Sequence, residues 1–198
     1  MNLLNNTKCY LIGPIEQSAD PVGWRNKITA ELNKLGVKVY DPMKKPYWAP
    51  KVTVANKGSF LDALNNNKEY TQQDKDAFEG MRWIRTIDKR FVNDADFVVC
   101  FLPKTFSVGS CEELSICANS GKPVLIWSDK DLIPSSWLAD MLCKDIEEIR
   151  ETFFKSSDAV MDYLNKVNNN EIPLDPFKWV FLTYFNNNIK IKYARNHN

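Results

Sequence analysis

Two adjacent carboxylates, Glu112 and Glu113, stand in the stretch SVGSCEEL (107–114), between an apolar run, DFVVCFLP, and a segment of helical character. Ser110 followed three residues later by Glu113 has the spacing of a capping box, in which the serine oxygen and the glutamate carboxylate satisfy backbone N–H groups of a helix start. The same helix start also offers chemistry. Its free N–H groups and dipole favour an anion, so Ser107, Gly109 and Ser110 could hold a ligand's hydroxyl or phosphate while Glu113 stays ionised and nucleophilic. The local sequence leaves both readings open.

Asp88 is a further carboxylate of interest. Met81, Ile84, Asp88 and Phe91 are spaced three, four and three, which predicts Asp88 on the apolar stripe of its helix. Burial there would raise its pKa and suit a general acid that keeps its proton near neutrality. The alternative is a structural aspartate bonded to nearby backbone, to Arg85 or to Arg25. Tyr10 lies in an apolar run and is either a core aromatic or a hydroxyl aimed at the carboxylates. Cys111 adjoins the glutamates, but the only histidine, His197, is the penultimate residue of a polar tail. A thiol nucleophile therefore lacks an activating base, and His-based catalysis and His-ligated zinc are poor bets. No metal site is expected, and acid–base work would fall to carboxylates.

The composition points to a small-molecule partner. With 26 Lys+Arg against 25 Asp+Glu, bulk charge gives no attraction to a nucleic acid polymer or an anionic membrane. Five cysteines without a C-x-x-C pair, several of them in apolar runs, suit a reducing compartment. No stretch reads as a signal peptide or as a membrane span of roughly 20 apolar residues, so a cytoplasmic setting is expected. At 198 residues the chain reads as one domain over 1–198, with a core at about 8–168 and a C-terminal aromatic segment and polar tail at 169–198.

The elements that must position these residues follow from patterning. KCYLIG (8–13) is a strand ended by Gly13-Pro14, and DPVGWRNKITAELNKLG is a helix starting at Asp20 or Pro21 and stopped by Gly36. VKVYDP is a second strand, which opens a βαβ unit. Residues 41–73 read as a long loop with a short helix around 59–67, and such loops are often binding loops or lids. A helix runs from about Asp74 to Val92, marked by Phe78, Met81, Ile84, Ile87 and Phe91. DFVVCFL (96–102) is a third strand, Ser110–Ser120 a helix, and KPVLIW (122–127) a fourth strand. A Pro-interrupted stretch leads to a short fifth strand at ETFF and a helix capped by Ser156 or Ser157, while the aromatic end is left unassigned. The expected fold is α/β, a doubly wound, flavodoxin-like or Rossmann-like parallel sheet of about five strands with helices on both faces. Ligands of such sheets bind beyond the strand carboxyl ends, where Gly13, Pro14, Asp41 and the loop 103–110 fall.

Taken together, YLIGPIE followed by GWR, the strand end VYDP, IRTIDKRFVNDADFVV and SVGSCEELSICANSGKPV resemble the nucleoside 2-deoxyribosyltransferase family, in forms often carried by bacteria and phages. The likeness covers about residues 8–127 and extends loosely to the DYL helix and the aromatic end. It implies a flavodoxin-like fold and cleavage of the N-glycosidic bond of a 2′-deoxynucleoside, without metal or organic cofactor. The partners it implies are a deoxynucleoside or deoxynucleotide and a free nucleobase, acted on by a homo-oligomer. The family's nucleophile falls on Glu113, its aspartate on Asp88 and its first-strand tyrosine on Tyr10. Glu113 would take the sugar as a covalent ester, a protonated Asp88 would help the base leave and Tyr10 would orient Glu113, while Asp41, Tyr47 and Trp48 in the loop 41–73 would cover the base.

The residue that binds the sugar's 5′ end in this family falls on Ser107. Transferases of free nucleosides often carry an acidic residue there, whereas related hydrolases of deoxynucleoside 5′-monophosphates carry serine. An arginine of those hydrolases aligns with Glu16. Sugar transfer is therefore the first expectation, a deoxynucleotide N-glycosidase the alternative, and a non-catalytic nucleotide-binding module the third.

Overall fold

The structure, a computed structural model, describes residues 2–15, 20–49, 54–103, 107–129, 135–184 and 186–192. Its sheet has five strands, β1 (Lys8–Ile12), β2 (Lys38–Tyr40), β3 (Phe97–Phe101), β4 (Val124–Trp127) and β5 (Phe153–Phe154), in the order β2-β1-β3-β4-β5. Every neighbouring pair is parallel, with Tyr10 opposite both Tyr40 and Val98, and Val98 opposite Val124. Parallel strands covered on both faces need apolar residues at every position, which explains the unbroken FVVCF and VLIW runs.

Alternate side chains of these strands build two cores. On one face Cys9, Leu11, Phe97, Val99, Leu125 and Trp127 pack under α1 (Gly23–Lys34) and α7 (Ser157–Asn168). On the other face Tyr10, Ile12, Val98, Cys100 and Ile126 pack with Val92 of α3 (Gln72–Asp94), Leu114 and Cys117 of α4 (Val108–Asn119) and Leu138 of α5 (Ser136–Leu142). The doubly wound arrangement is thus present, with helices on both faces.

Several elements differ from the expectation. Within 41–73 a helix of three turns, α2 (Val54–Asn65), begins earlier than the predicted short helix. Helix α3 is longer than predicted, because Thr71 and Asp74 form a capping box at its start. Its buried residues are Asp74, Ala77, Gly80, Ile87 and Val92, and Phe78 is exposed. The first half of α3 packs against α2 rather than on the sheet, with Phe60 5.3 Å from Phe78 between ring centres. The Pro-interrupted stretch contains α5 and α6 (Ile146–Thr152), both too short to show a helical period. The segment read as a polar tail is partly built in: Leu174 and Ile191 form a parallel bridge, Ile189 is buried, and α8 (Val180–Thr183) sets Leu182 beside Trp179 in the core. Among the described residues no helix is long and apolar enough to cross a membrane. Glu16, Lys104–Phe106 and His197 lie outside the described residues.

Candidate active site

Tyr10 is the third residue of β1, and its ring is completely buried in the core under α4. Its hydroxyl donates a 2.7 Å hydrogen bond to Glu113 Oε1. Burial pushes the Tyr10 pKa well above its ordinary value, and the Glu113 charge pushes the same way, so the phenol is a neutral donor.

This bond overturns the capping-box pairing of Ser110 with Glu113. Helix α4 starts earlier, with Ser107 as its N-cap, and the Ser107 hydroxyl accepts from Ser110 N at 3.2 Å. The two serine hydroxyls lie 3.1 Å apart, and Ser110 is buried. Glu113 is freed from the cap and turns toward the sheet. Burial raises its pKa to about 7 and the Asp88 charge adds to that, while the Tyr10 bond, Lys45 and Arg25 act in the opposite direction. Glu112 faces the other way and pairs with Arg85, whose Nε donates at 2.7 Å, and with Lys89 at 3.3 Å. Gly109 is exposed, and a Cβ there would meet only Ser107 Oγ at 3.7 Å, so no close approach demands glycine.

Asp88 is largely covered, at 14% side-chain exposure, but neither of its anticipated arginine partners holds it. Arg85 is engaged by Glu112 and Arg25 by Asp41, and Asp88 Oδ1 instead accepts from Lys45 Nζ at 2.7 Å. Burial raises the Asp88 pKa, while the bond and charge of Lys45 and the nearby Tyr10 hydroxyl lower it, and the balance stays above the ordinary carboxylate value.

The Gly13-Pro14 turn is held from below by Arg25, a fully buried residue. Its guanidinium donates to Gly13 O at 2.7 Å, Pro14 O at 3.3 Å and Pro21 O at 2.6 Å, and lies 4.3 Å from the centre of the Trp24 ring. Gly13 is required sterically, since an added Cβ would come within 2.6 Å of Trp24 Cζ2 and 3.1 Å of Phe101 O. Asp41 is buried; its Oδ1 accepts from Met43 N at 2.9 Å and lies 3.6 Å from Arg25 Nε. Tyr47 and Trp48, expected to cover a base, are 95% and 61% exposed.

The structure thus groups Tyr10, Asp88 and Glu113, with Gly13, Pro14, Ser107 and Ser110 at the surrounding strand and helix ends. Asp41 serves the Arg25 network. Sequence reasoning missed Lys45 as a site residue and Arg25 as the residue that holds the first turn. The Trp24-Arg25 pair, a cation on an apolar helix face, was a usable signal for the second. Among the described residues no cluster of three or more His, Cys, Asp or Glu is placed to hold a metal ion. A cavity of about 460 Å³ lies away from the carboxylates, between β5, α7 and the C-terminal segment, lined by Glu151, Phe154, Tyr163, Lys166 and Lys192.

A carboxylate that is half-ionised near neutrality, steered by a neutral phenol and set beside a second carboxylate, has the components of a covalent displacement at an acetal-like carbon. No family model and no curated protein matches the chain. Among solved structures, a 2-deoxyribosyltransferase from the psychrotolerant bacterium Bacillus psychrosaccharolyticus is similar over 75% of this chain and 99% of its own, at 18% identity and a TM-score of 0.50. A conserved protein from Enterococcus faecalis V583 is similar over 81% of this chain and 98% of its own, at 13% identity and a TM-score of 0.54. At such identities the likeness is one of fold, and the fold that this chain shares is that of a 2-deoxyribosyltransferase.

Proposed function

We propose that this protein is an enzyme that transfers 2-deoxyribose between nucleobases by cleaving the N-glycosidic bond of a 2′-deoxynucleoside. The observation that carries this reading is the 2.7 Å bond from Tyr10 to Glu113, with the Asp88 charge acting on both. Glu113, ionised, attacks C1′ and forms an ester to the sugar. The base departs with the bonding electron pair and takes a proton delivered through Asp88. An incoming base then attacks C1′, releases the Glu113 carboxylate and returns a proton to Asp88. The oxocarbenium character of such a step is less disfavoured without a 2′-hydroxyl, which suits deoxyribosides.

A deoxynucleoside 5′-monophosphate hydrolase is the second reading. It is favoured by Ser107 at the start of α4, a helix of 12 residues whose N-terminus suits a phosphate. The test is chromatography of reactions containing deoxynucleosides or their 5′-monophosphates, each with and without a different free base, beside Glu113→Ala. A new deoxynucleoside that forms only with added base, and is lost in Glu113→Ala, supports transfer. Base released from monophosphates alone supports the hydrolase, and turnover that survives Glu113→Ala rejects both.

A further inference from the structure

The loop after β2 sends Lys45 to Asp88, and the function proposed above gives that ion pair no role. Lys45 Nζ donates to Pro42 O at 2.8 Å and to Asp88 Oδ1 at 2.7 Å, and both side chains are 14% exposed. Ordering and covering a lysine costs rotamer freedom and hydration, and lysines are seldom covered without a partner. Among the described residues, Glu113 of α4 takes the Tyr10 hydroxyl of β1, Arg25 of α1 holds the Gly13, Pro14 and Pro21 carbonyls and Asp41, and Arg85 of α3 pairs with Glu112. In the 2.7 Å bond the Lys45 ammonium donates one of its protons directly to Asp88 Oδ1.

We propose that Lys45 is a positioning residue that acts through Asp88, fixing this carboxylate and supplying the proton that it passes to the departing base. The inference rests on the sugar-transfer reading. As the C1′–N bond breaks, its electron pair leaves with the base, and Asp88 accepts a proton from the Lys45 ammonium and passes it to the base nitrogen, so that Asp88 remains a carboxylate and Lys45 is left an amine. Attack by the incoming base releases a proton that returns through Asp88 and restores the ammonium.

The test compares wild type, Lys45→Met, Lys45→Arg and Asp88→Asn on a natural deoxynucleoside and on 4-nitrophenyl 2-deoxyriboside, whose leaving group departs as a stable anion and needs no proton. Lys45→Met is expected to lower kcat on the nucleoside by about 10- to 100-fold, the lower range of general acid contributions, and to leave kcat on the aryl substrate unchanged. Lys45→Arg keeps the charge but cannot give up a proton, so KM should stay near wild type while kcat stays low. In the Asp88→Asn background Lys45→Met should cost nothing more. Full kcat in Lys45→Arg, equal losses on both substrates, or an additive loss with Asp88→Asn would overturn the role. An active wild type with an unaffected Lys45→Met overturns this inference alone, whereas a wild type inert on both substrates overturns the sugar-transfer reading with it.

Discussion

Glu112 and Glu113 are neighbours in the chain and face opposite environments: Glu112 pairs with Arg85 and Lys89 at the surface, and Glu113 accepts from the buried Tyr10. The consequences for their ionisation are opposite. The Arg85 bond holds Glu112 below the ordinary carboxylate value, whereas burial lifts Glu113 to about 7.

The lifted pKa makes Glu113 a stability liability at high pH. Its unfolded value is about 4.3, so between that pH and about 7 the folded protein retains a proton that the unfolded chain has released. Stability from this group is complete below about pH 4 and is lost as the pH rises through 7, by roughly 4 kcal/mol at 1.36 kcal/mol per unit. Glu113→Gln keeps an acceptor for Tyr10 and removes that loss. Thermal unfolding should place the variant above wild type at pH 8, with the difference closing toward pH 4. A difference independent of pH would contradict the burial of this carboxylate. Glu112→Gln should show no such trend and should retain activity.

Tyr10→Phe removes the hydroxyl that favours ionised Glu113, so the Glu113 pKa moves upward from about 7. On the proposed mechanism kcat/KM rises with pH as Glu113 ionises in the free enzyme. The rising limb of the profile should therefore move to higher pH in Tyr10→Phe, with part of the lost rate recovered by pH 9. A rate unchanged at every pH would indicate that Tyr10 only fills space.

The contrast between legible and hidden parts follows from the range of the interactions. Strands β3 and β4 are readable because double burial writes an unbroken apolar run into FVVCF and VLIW. Asp88, Glu113 and Tyr10 are readable as candidates because each stands out against its own element, at a stripe, a helix start or a strand. Lys45 carries no such contrast: it is one of two adjacent lysines in a loop that holds others, and its partner is 43 residues away. Ile189 looks like part of a polar tail until the bridge between Leu174 and Ile191 brings that strand of chain onto the core. The start of α4 was misplaced because two serines three residues apart, Ser107 and Ser110, are both credible caps.

Arg25 anchors the first turn by three carbonyl bonds and by its approach to Asp41, all within the protein interior. Arg25→Met strands a buried carboxylate and unpairs those carbonyls, with an expected loss of about 3–5 kcal/mol in denaturant unfolding. Adding Asp41→Asn to that variant should cost less than the sum of the single changes, because the pairing is already lost and the second change removes the stranded charge. Additive losses would show that the 3.6 Å approach of Arg25 to Asp41 carries no coupling.

Ser107 has two separable duties, so one substitution can tell them apart. As N-cap of α4 its hydroxyl accepts from Ser110 N, and Ser107→Ala should cost about 1 kcal/mol of stability at any pH. If the same hydroxyl meets the sugar's 5′ end, Ser107→Ala also raises KM for a free deoxynucleoside, by about 2- to 10-fold for one hydrogen bond, with kcat nearly constant. Steady-state kinetics at a temperature well below the unfolding transition separates the two effects. A KM change confined to deoxynucleoside 5′-monophosphates would move the substrate assignment to the nucleotide. An unchanged KM for every substrate, together with the loss of stability, would leave Ser107 as a helix cap and remove it from the site.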